Sequence, residues 1–254
     1  MSKPQVTFET KCWERDWKLL LDTGRLQDMI GRCNYPFAEK ILYVNNVRDC
    51  ARVMKAGRRL VAEGVITEAV LVEDLAQGAL ASFAVDKESF RGGYYYSIQE
   101  LVGIHHCRTE YLLHFSGDTI QTNSEPWIDQ AIERMERDPT LIVANPCWDS
   151  TGAQARDQAV SGDDVFYYGH GFSDQCYLVR ADTFKKPIYN EEHPASMVYP
   201  RYGGELFEKR VNSYMRNHGC KRLTSKKAFY QHKNYPRDAL RRWIMRWTGI
   251  NLKK

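Results

Sequence analysis

The sequence has no run of about 20 apolar residues, so no segment of it is long enough to span a bilayer as a helix. Met1-Ser2-Lys3-Pro4-Gln5 lacks the apolar core of a secretory leader and runs straight into a strand-like segment. Cysteine occurs seven times but without paired spacing, which argues against a disulfide scaffold and for a reducing compartment. Internal repeats and low-complexity tracts are also missing. These absences exclude secreted, fibrous and membrane-spanning classes and lead to the expectation of a soluble cytoplasmic protein. The 254 residues, 43% apolar and 27% charged, leave room for one large domain or two small ones.

Several nucleotide and hydrolase signatures are absent too. There is no G-x-x-x-x-G-K-[ST] and no G-x-G-x-x-G, so P-loop and Rossmann nucleotide binding lose their usual support. A serine-hydrolase elbow, G-x-S-x-G, does not occur. His105-His106-Cys107 looks like a metal cluster, but adjacent helical residues point about 100° apart and cannot all face one ion.

Charge is unevenly spread. From Arg201 onward there are 15 Lys+Arg against 3 Asp+Glu, whereas residues 1–200 hold 21 against 29, within a total of +4. A basic end on an acidic body points to an anionic partner or to a solvated tail.

Strand and helix patterns alternate along the first two thirds. Residues 6–10 alternate as a strand; residues 13–32 carry Trp13, Trp17, Leu20, Leu21 and Ile30 at helical spacing, with a break at Gly24. The short apolar runs 41–44, 69–72, 111–115 and 141–144 read as buried strands. Helices are predicted over 49–63, 97–107 and 127–138, and the stretch between 73 and 96 reads as a polar, glycine-containing connection. Residues 148–170 lack periodicity, as a long functional loop would. A strand at 175–179 and a helix at 205–218 follow. This alternation predicts a mainly parallel α/β sheet with helices on both faces and ligands beyond the carboxyl ends of its strands.

Polar residues stand at those ends: Asn45 and Asn46, then Glu73 and Asp74, then Ser116-Gly117-Asp118-Thr119. A carboxylate such as Asp118 on a glycine turn can reach a divalent cation carrying phosphate oxygens, or can cap the following turn. Residues 236–250 place Leu240, Trp243, Ile244 and Trp247 on one helical face, with Arg241, Arg242 and Arg246 elsewhere. Such a helix can lie in an anionic membrane interface or pack onto its own domain.

In this order the features resemble the GT-A glycosyltransferases, in particular the family 2-like group of inverting enzymes, over about residues 5–235. Ile41-Leu42-Tyr43-Val44-Asn45-Asn46-Val47-Arg48-Asp49 resembles the family's second strand and turn. Thr109-Glu110-Tyr111-Leu112-Leu113-His114-Phe115-Ser116-Gly117-Asp118-Thr119 resembles the strand bearing its DxD motif, with Ser116 in place of the first acid. Residues 205–219 resemble its acidic helix, and Phe229-Tyr230-Gln231-His232 its late strand with a metal-binding histidine.

The resemblance implies a GT-A domain over 1–235, with a donor half to about 120, an acceptor half over 121–235, and the basic segment 236–254 beyond it. It implies a nucleotide-diphosphate-sugar donor held by Thr10, Asn45, Asp74, Arg91 and Asp118, and a divalent metal (Mg²⁺ or Mn²⁺) on Asp118 and His232. The general base is Glu205 or Glu208; Glu205 is preferred because Gly203-Gly204 before it leaves space for an acceptor. Asp174 binds acceptor or donor sugar. The expected acceptor is a glycan or a lipid-linked saccharide in polysaccharide-type synthesis, at the inner face of a membrane if the C-terminal helix docks there; no nucleic acid is expected. Each of these residues has a plainer role open to it: Asp174 in a turn, Arg91 in an exposed loop, the two glutamates at a helix N-terminus, His232 in a local hydrogen bond. A sugar nucleotidyltransferase and a non-catalytic basic binding module remain the competing functions.

Overall fold

The computed structural model describes residues 3–199 and 204–232. The basic segment 236–254 and Gly203 lie outside the described residues, as do the expectations attached to them.

Strand β1 (Val6–Cys12) is followed by α1 (Trp17–Asp22) and α2 (Arg25–Arg32), which are separated by Gly24 at φ 75°. The break expected there is real, because the left-handed backbone at this turn favours glycine. Next come β2 (Glu39–Val44), α3 (Cys50–Ala62), β3 (Glu68–Leu71), α4 (Val72–Ser82) and α5 (Tyr94–His106). The Asp49 carboxylate caps α3 by accepting from Arg52 N at 3.0 Å.

The chain continues through β4 (Tyr111–Phe115), β5 (Thr119–Gln121), α6 (Ile128–Arg137) and β6 (Leu141–Cys147). A short α7 (Ala153–Asp157) leads to the hairpin β7 (Ala159–Gly162) and β8 (Phe166–Gly169). The last elements are β9 (Cys176–Arg180), α8 (Ala181–Phe184), α9 (Phe207–Asn217) and β10 (Lys221–His232).

All strands join one sheet in the order β3-β2-β1-β4-β9-β6-β10-β8-β7, with β5 paired to β10. Strands β1 to β4 are mutually parallel, and β6 runs parallel to β10. Strand β9 is antiparallel to both β4 and β6, so those two run the same way on either side of it. Both faces of the sheet are covered. In β2, Leu42 and Val44 pack into one core with α1, α2, α3 and α6, while Ile41 and Tyr43 pack into the other with α4, α5 and α9. That double burial is why β2 reads as an unbroken apolar run.

Two expectations need correction. The stretch read as an irregular connection contains α4: its buried stripe of Val72, Ala76, Ala79 and Leu80 is built partly of small residues and gives a weak apolar signal. Glu73 and Asp74 therefore sit in the first turn of a helix, where the helix dipole favours acids, and do not close a strand. The stretch 148–170, read as an aperiodic loop, holds α7 and the β7–β8 hairpin, which extends the sheet beyond β10.

Beneath the strand ends lies a buried polar layer. Glu9 in β1 is 0% exposed, its carboxylate 3.0 Å from His114 Nδ1 of β4, and burial raises its pKa well above the ordinary range, with Glu100 adding to the rise. Helix α5 crosses this carboxylate at Gly103, where an added Cβ would fall 2.7 Å from the carboxyl carbon. Gly103→Ala is expected to cost about 1–3 kcal/mol of stability through this overpacking. The measurement is urea unfolding, with a lower midpoint at unchanged slope; an unshifted midpoint would contradict the packing described.

Candidate active site at the carboxyl ends of the strands

Strand pairing assembles the site. Ser116, the residue after β4, donates its backbone N–H to Gln175 O at 2.9 Å and its hydroxyl to Asp174 O at 3.1 Å. These bonds tie the residues before β9 to the end of β4. Gly117 then passes close to the end of β1, where a Cβ would lie 2.6 Å from Lys11 O and 3.2 Å from Asp16 Oδ2. Only glycine lets the chain turn here and project Asp118.

Strand β5 follows at once and pairs with β10 so that Thr119 stands opposite His232. The register brings Asp118 Oδ2 to 2.9 Å from His232 Nε2, and Gln175 Nε2 lies 3.2 Å from the other ring nitrogen. The Asp118 hydrogen bond raises the His232 pKa despite partial burial.

Asp174, beside this pair, has its pKa raised by burial and by the charge of Asp118, while Lys11 pulls it the other way. Glu208, in the first turn of α9, faces the Asp174 backbone amide. Burial and the neighbouring Asp174 charge push its pKa up to about 8. Lys11 leaves β1 toward these acids and is paired with the fully buried Glu100 of α5. Burial opposes its charge, but Glu100, Asp174 and Asp118 outweigh that and raise its pKa. Asp16 is buried as well; it accepts from Trp13 N at 2.8 Å, and burial with the Asp118 charge holds its pKa well above the carboxylate range. The result is an acidic cleft in which several carboxyls compete for protons around one ammonium group.

The residues expected at the site divide into two sets. Asp118, His232, Asp174 and Glu208 converge. Glu205 lies elsewhere: its carboxylate is bound by Lys209 Nζ at 2.8 Å and lies 3.9 Å from Arg91 Nη1. Helix α9 starts at Phe207, so Glu205 precedes the helix predicted to begin with it. The space attributed to Gly204 is filled, since at φ 70° a Cβ would lie 2.5 Å from the carbonyl oxygens of both Phe90 and Arg91. Arg91 itself is 73% exposed and remote from that cleft in its contacts.

Thr10 is fully buried within β1, its hydroxyl without a partner among the described residues. Asn45 lines a cavity of about 340 Å³ with Asn46, Glu73, Lys87, Tyr94 and Tyr95, whereas Asp74 is exposed on the outer side of α4. His105 and His106 serve packing, edge-on to Phe83 and 3.2 Å from Glu68 respectively.

Sequence reasoning overlooked Lys11, Glu100 and Gln175. Two of them left a trace. Thr7, Glu9 and Lys11 form a polar face on a strand whose other face is buried, and Glu100 interrupts the apolar stripe Ile98, Leu101, Val102. Gln175 left none.

No protein-family model matches the chain, and neither does any curated protein sequence. Solved structures do match. A mannosyltransferase from Pyrobaculum calidifontis, PcManGT, in complex with GDP-Man and Mn²⁺, superposes with a TM-score of 0.52 over 97% of this chain at 13% identity. The fold is of the GT-A type. GalNAc-T7 with UDP, GalNAc and Mn²⁺ superposes with a TM-score of 0.54 over 91% of this chain at 10% identity. The chain spans 61% of the first GT-A protein and 44% of the second. The acidic cluster lies at the carboxyl ends of the parallel strands β1 and β4.

Proposed function

We propose that this chain is a glycosyltransferase that moves a sugar from a nucleotide diphosphate to a hydroxyl of a glycan or lipid-linked acceptor, with inversion at the anomeric carbon. The observation that carries the reading is the convergence of Asp118, His232, Asp174 and Glu208 from four separate segments on one cleft.

A carboxylate oxygen and an imidazole nitrogen side by side form a donor set that suits Mg²⁺ or Mn²⁺. Asp118 and His232 would hold the ion; among the described residues no third His, Cys, Asp or Glu groups with them. The bound cation supplies charge neutralisation for the departing diphosphate. Gln175 would orient the His232 ring for an ion with its amide turned so that Oε1 accepts from Nδ1–H, leaving Nε2 unprotonated; as placed, its Nε2 lies 3.2 Å from Nδ1. Asn45 and the 340 Å³ cavity beside it receive the nucleobase, the amide offering both a donor and an acceptor.

Glu208 acts as general base. Its raised pKa makes it a stronger acceptor for a hydroxyl proton than an ordinary carboxylate. Asp174 hydrogen-bonds a sugar hydroxyl and keeps Glu208 basic through its charge. Lys11, held by Glu100, sets the local charge balance around both. Thr10, Asp74 and Arg91 remain proposed donor contacts from the resemblance alone, and Glu205 takes no part in the chemistry. The seven cysteines are free thiols, in keeping with a cytoplasmic setting, and no helix among the described residues is long and apolar enough to cross a membrane.

Calorimetry with UDP, GDP, CDP and dTDP, each with Mn²⁺ or Mg²⁺, tests the reading. At least one pair is expected to bind in a metal-dependent way, and failure of all of them would overturn it. His232→Ala is expected to weaken that metal-dependent binding by about 100-fold or more, beyond the 10–100-fold cost of losing an outer partner of a ligand, while leaving metal-free binding unchanged. An equal loss with and without metal would remove His232 from the metal.

A further inference from the structure

Several arginines elsewhere on this surface have carboxylate partners. Arg32 pairs with Asp28 at 2.9 Å, Arg108 with Glu39 at 2.8 Å and Glu68 at 2.6 Å, and Arg137 with Glu133 at 2.5 Å. One region departs from this pattern. Between the turn after β1 and the start of α3 lies a cavity of about 410 Å³ edged by Arg15, Lys18, Arg48 and Arg52, all exposed. None of these side chains has a carboxylate partner among the described residues.

The two acids at the cavity are otherwise engaged. Glu14 Oε2 accepts from Arg48 N at 2.8 Å, and Asp49 Oδ1 accepts from Arg52 N at 3.0 Å. One aromatic residue, the buried Trp17, lines it: Lys18 Nζ and Arg52 Cζ lie 5.4 and 5.5 Å from the centre of its ring, while Arg15 Cζ lies 5.4 Å from the ring of Trp13, outside the lining. The cavity shares no lining residue with the one beside Asn45.

We propose that this cavity is an anion site distinct from the cavity beside Asn45, and that it binds a phosphate-bearing molecule. The charge balance selects the ligand. Three guanidinium groups and an ammonium against two carboxylates leave an excess of about two positive charges, which a phosphate monoester of about −1.5 to −2 neutralises. Shape selects it as well. Cations on several sides of a cavity can each reach a tetrahedral group with three acceptor oxygens, whereas a carboxylate presents two oxygens in one plane. The volume exceeds that of a bare phosphate and leaves room for part of whatever carries it. The carrier is either a soluble phosphorylated saccharide or a lipid whose headgroup is a phosphate monoester.

The test uses the full chain in EDTA at low salt, so that no cation holds phosphate at Asp118. Calorimetry with inorganic phosphate is expected to show binding that falls as salt is raised. Arg48→Gln/Arg52→Gln is expected to weaken it about tenfold or more, since it removes two of the four cations at the cavity. Asp118→Asn is expected to bind as the wild type does. No binding by the wild type, full binding by the double variant, or an equal loss in Asp118→Asn each overturns the proposal.

Sedimentation with phosphatidic acid vesicles, which carry a phosphate monoester, or with phosphatidylcholine vesicles identifies the source. Phosphatidic acid binding that the double variant loses identifies a lipid headgroup. Vesicle binding unchanged by the double substitution, alongside lost phosphate binding, identifies a soluble phosphorylated molecule.

Discussion

Glu208→Gln is expected to lower the rate of sugar transfer by about 10²–10⁴-fold, the usual contribution of a positioned general base. Binding of the nucleotide diphosphate should change little, because the substitution removes a proton acceptor without altering size. Glu205→Gln provides the contrast. Its carboxylate is taken up by Lys209 and faces Arg91, so less than about a threefold change in rate is expected, in line with a surface ion pair. Steady-state kinetics on the two variants decides between the glutamates, and a larger loss at Glu205 would reverse the assignment.

The same glutamate sets a pH dependence. With its pKa pushed up to about 8, Glu208 is mostly protonated at neutral pH, and the rate should climb with pH until that value is passed. Stability runs the other way. A carboxyl whose folded pKa lies above the ordinary 4.5 stabilises the fold fully below pH 4.5 and loses that contribution as pH rises toward about 8. Glu208→Gln should therefore flatten the decline of unfolding free energy between those two values, as read by urea titrations at a series of pH values. A decline equally steep in the variant would mean that Glu208 ionises freely in the folded chain.

Asp118→Asn is expected to abolish metal-dependent binding of the nucleotide diphosphate, by more than about 100-fold, since disturbing even an outer partner of a metal ligand costs 10–100-fold. The amide keeps the side-chain shape and can still bond to His232, so the fold should persist with an unchanged circular dichroism spectrum. The substitution also removes a negative charge felt by Asp174, Asp16 and Lys11. Retention of Mn²⁺-dependent binding in Asp118→Asn would dissociate this carboxylate from the metal and take the central element out of the proposed chemistry.

How far the chain could be read in advance differs by element. Strand β4 and helix α3 were legible because each carries its own signal: an apolar run in one case, a capping aspartate and an amphipathic stripe in the other. Helix α4 was not, because a stripe built partly of alanines is hard to tell from a polar linker. The β7–β8 hairpin escaped for a different reason. It is held by pairing of β8 with β10 and by the Asp163 carboxylate, which accepts from Val165 N at 2.8 Å and Phe166 N at 2.7 Å, and neither contact leaves a period in the sequence.

Local patterning was thus enough to establish alternating strands and helices, a sheet buried on both faces, and polar residues waiting at the strand ends. It could not say which of those residues meet. An apolar run has no direction, so nothing in residues 176–180 announces a strand inserted antiparallel between β4 and β6 that brings Asp174 and Gln175 back beside Asp118. Likewise Glu205 and Glu208 differ by three positions in the chain, yet one faces Lys209 and the other Asp174, because α9 begins only at Phe207. Neighbours along the chain determine an element; the burial and proximity that shift a pKa come from residues on separate elements, and only packing brings those together.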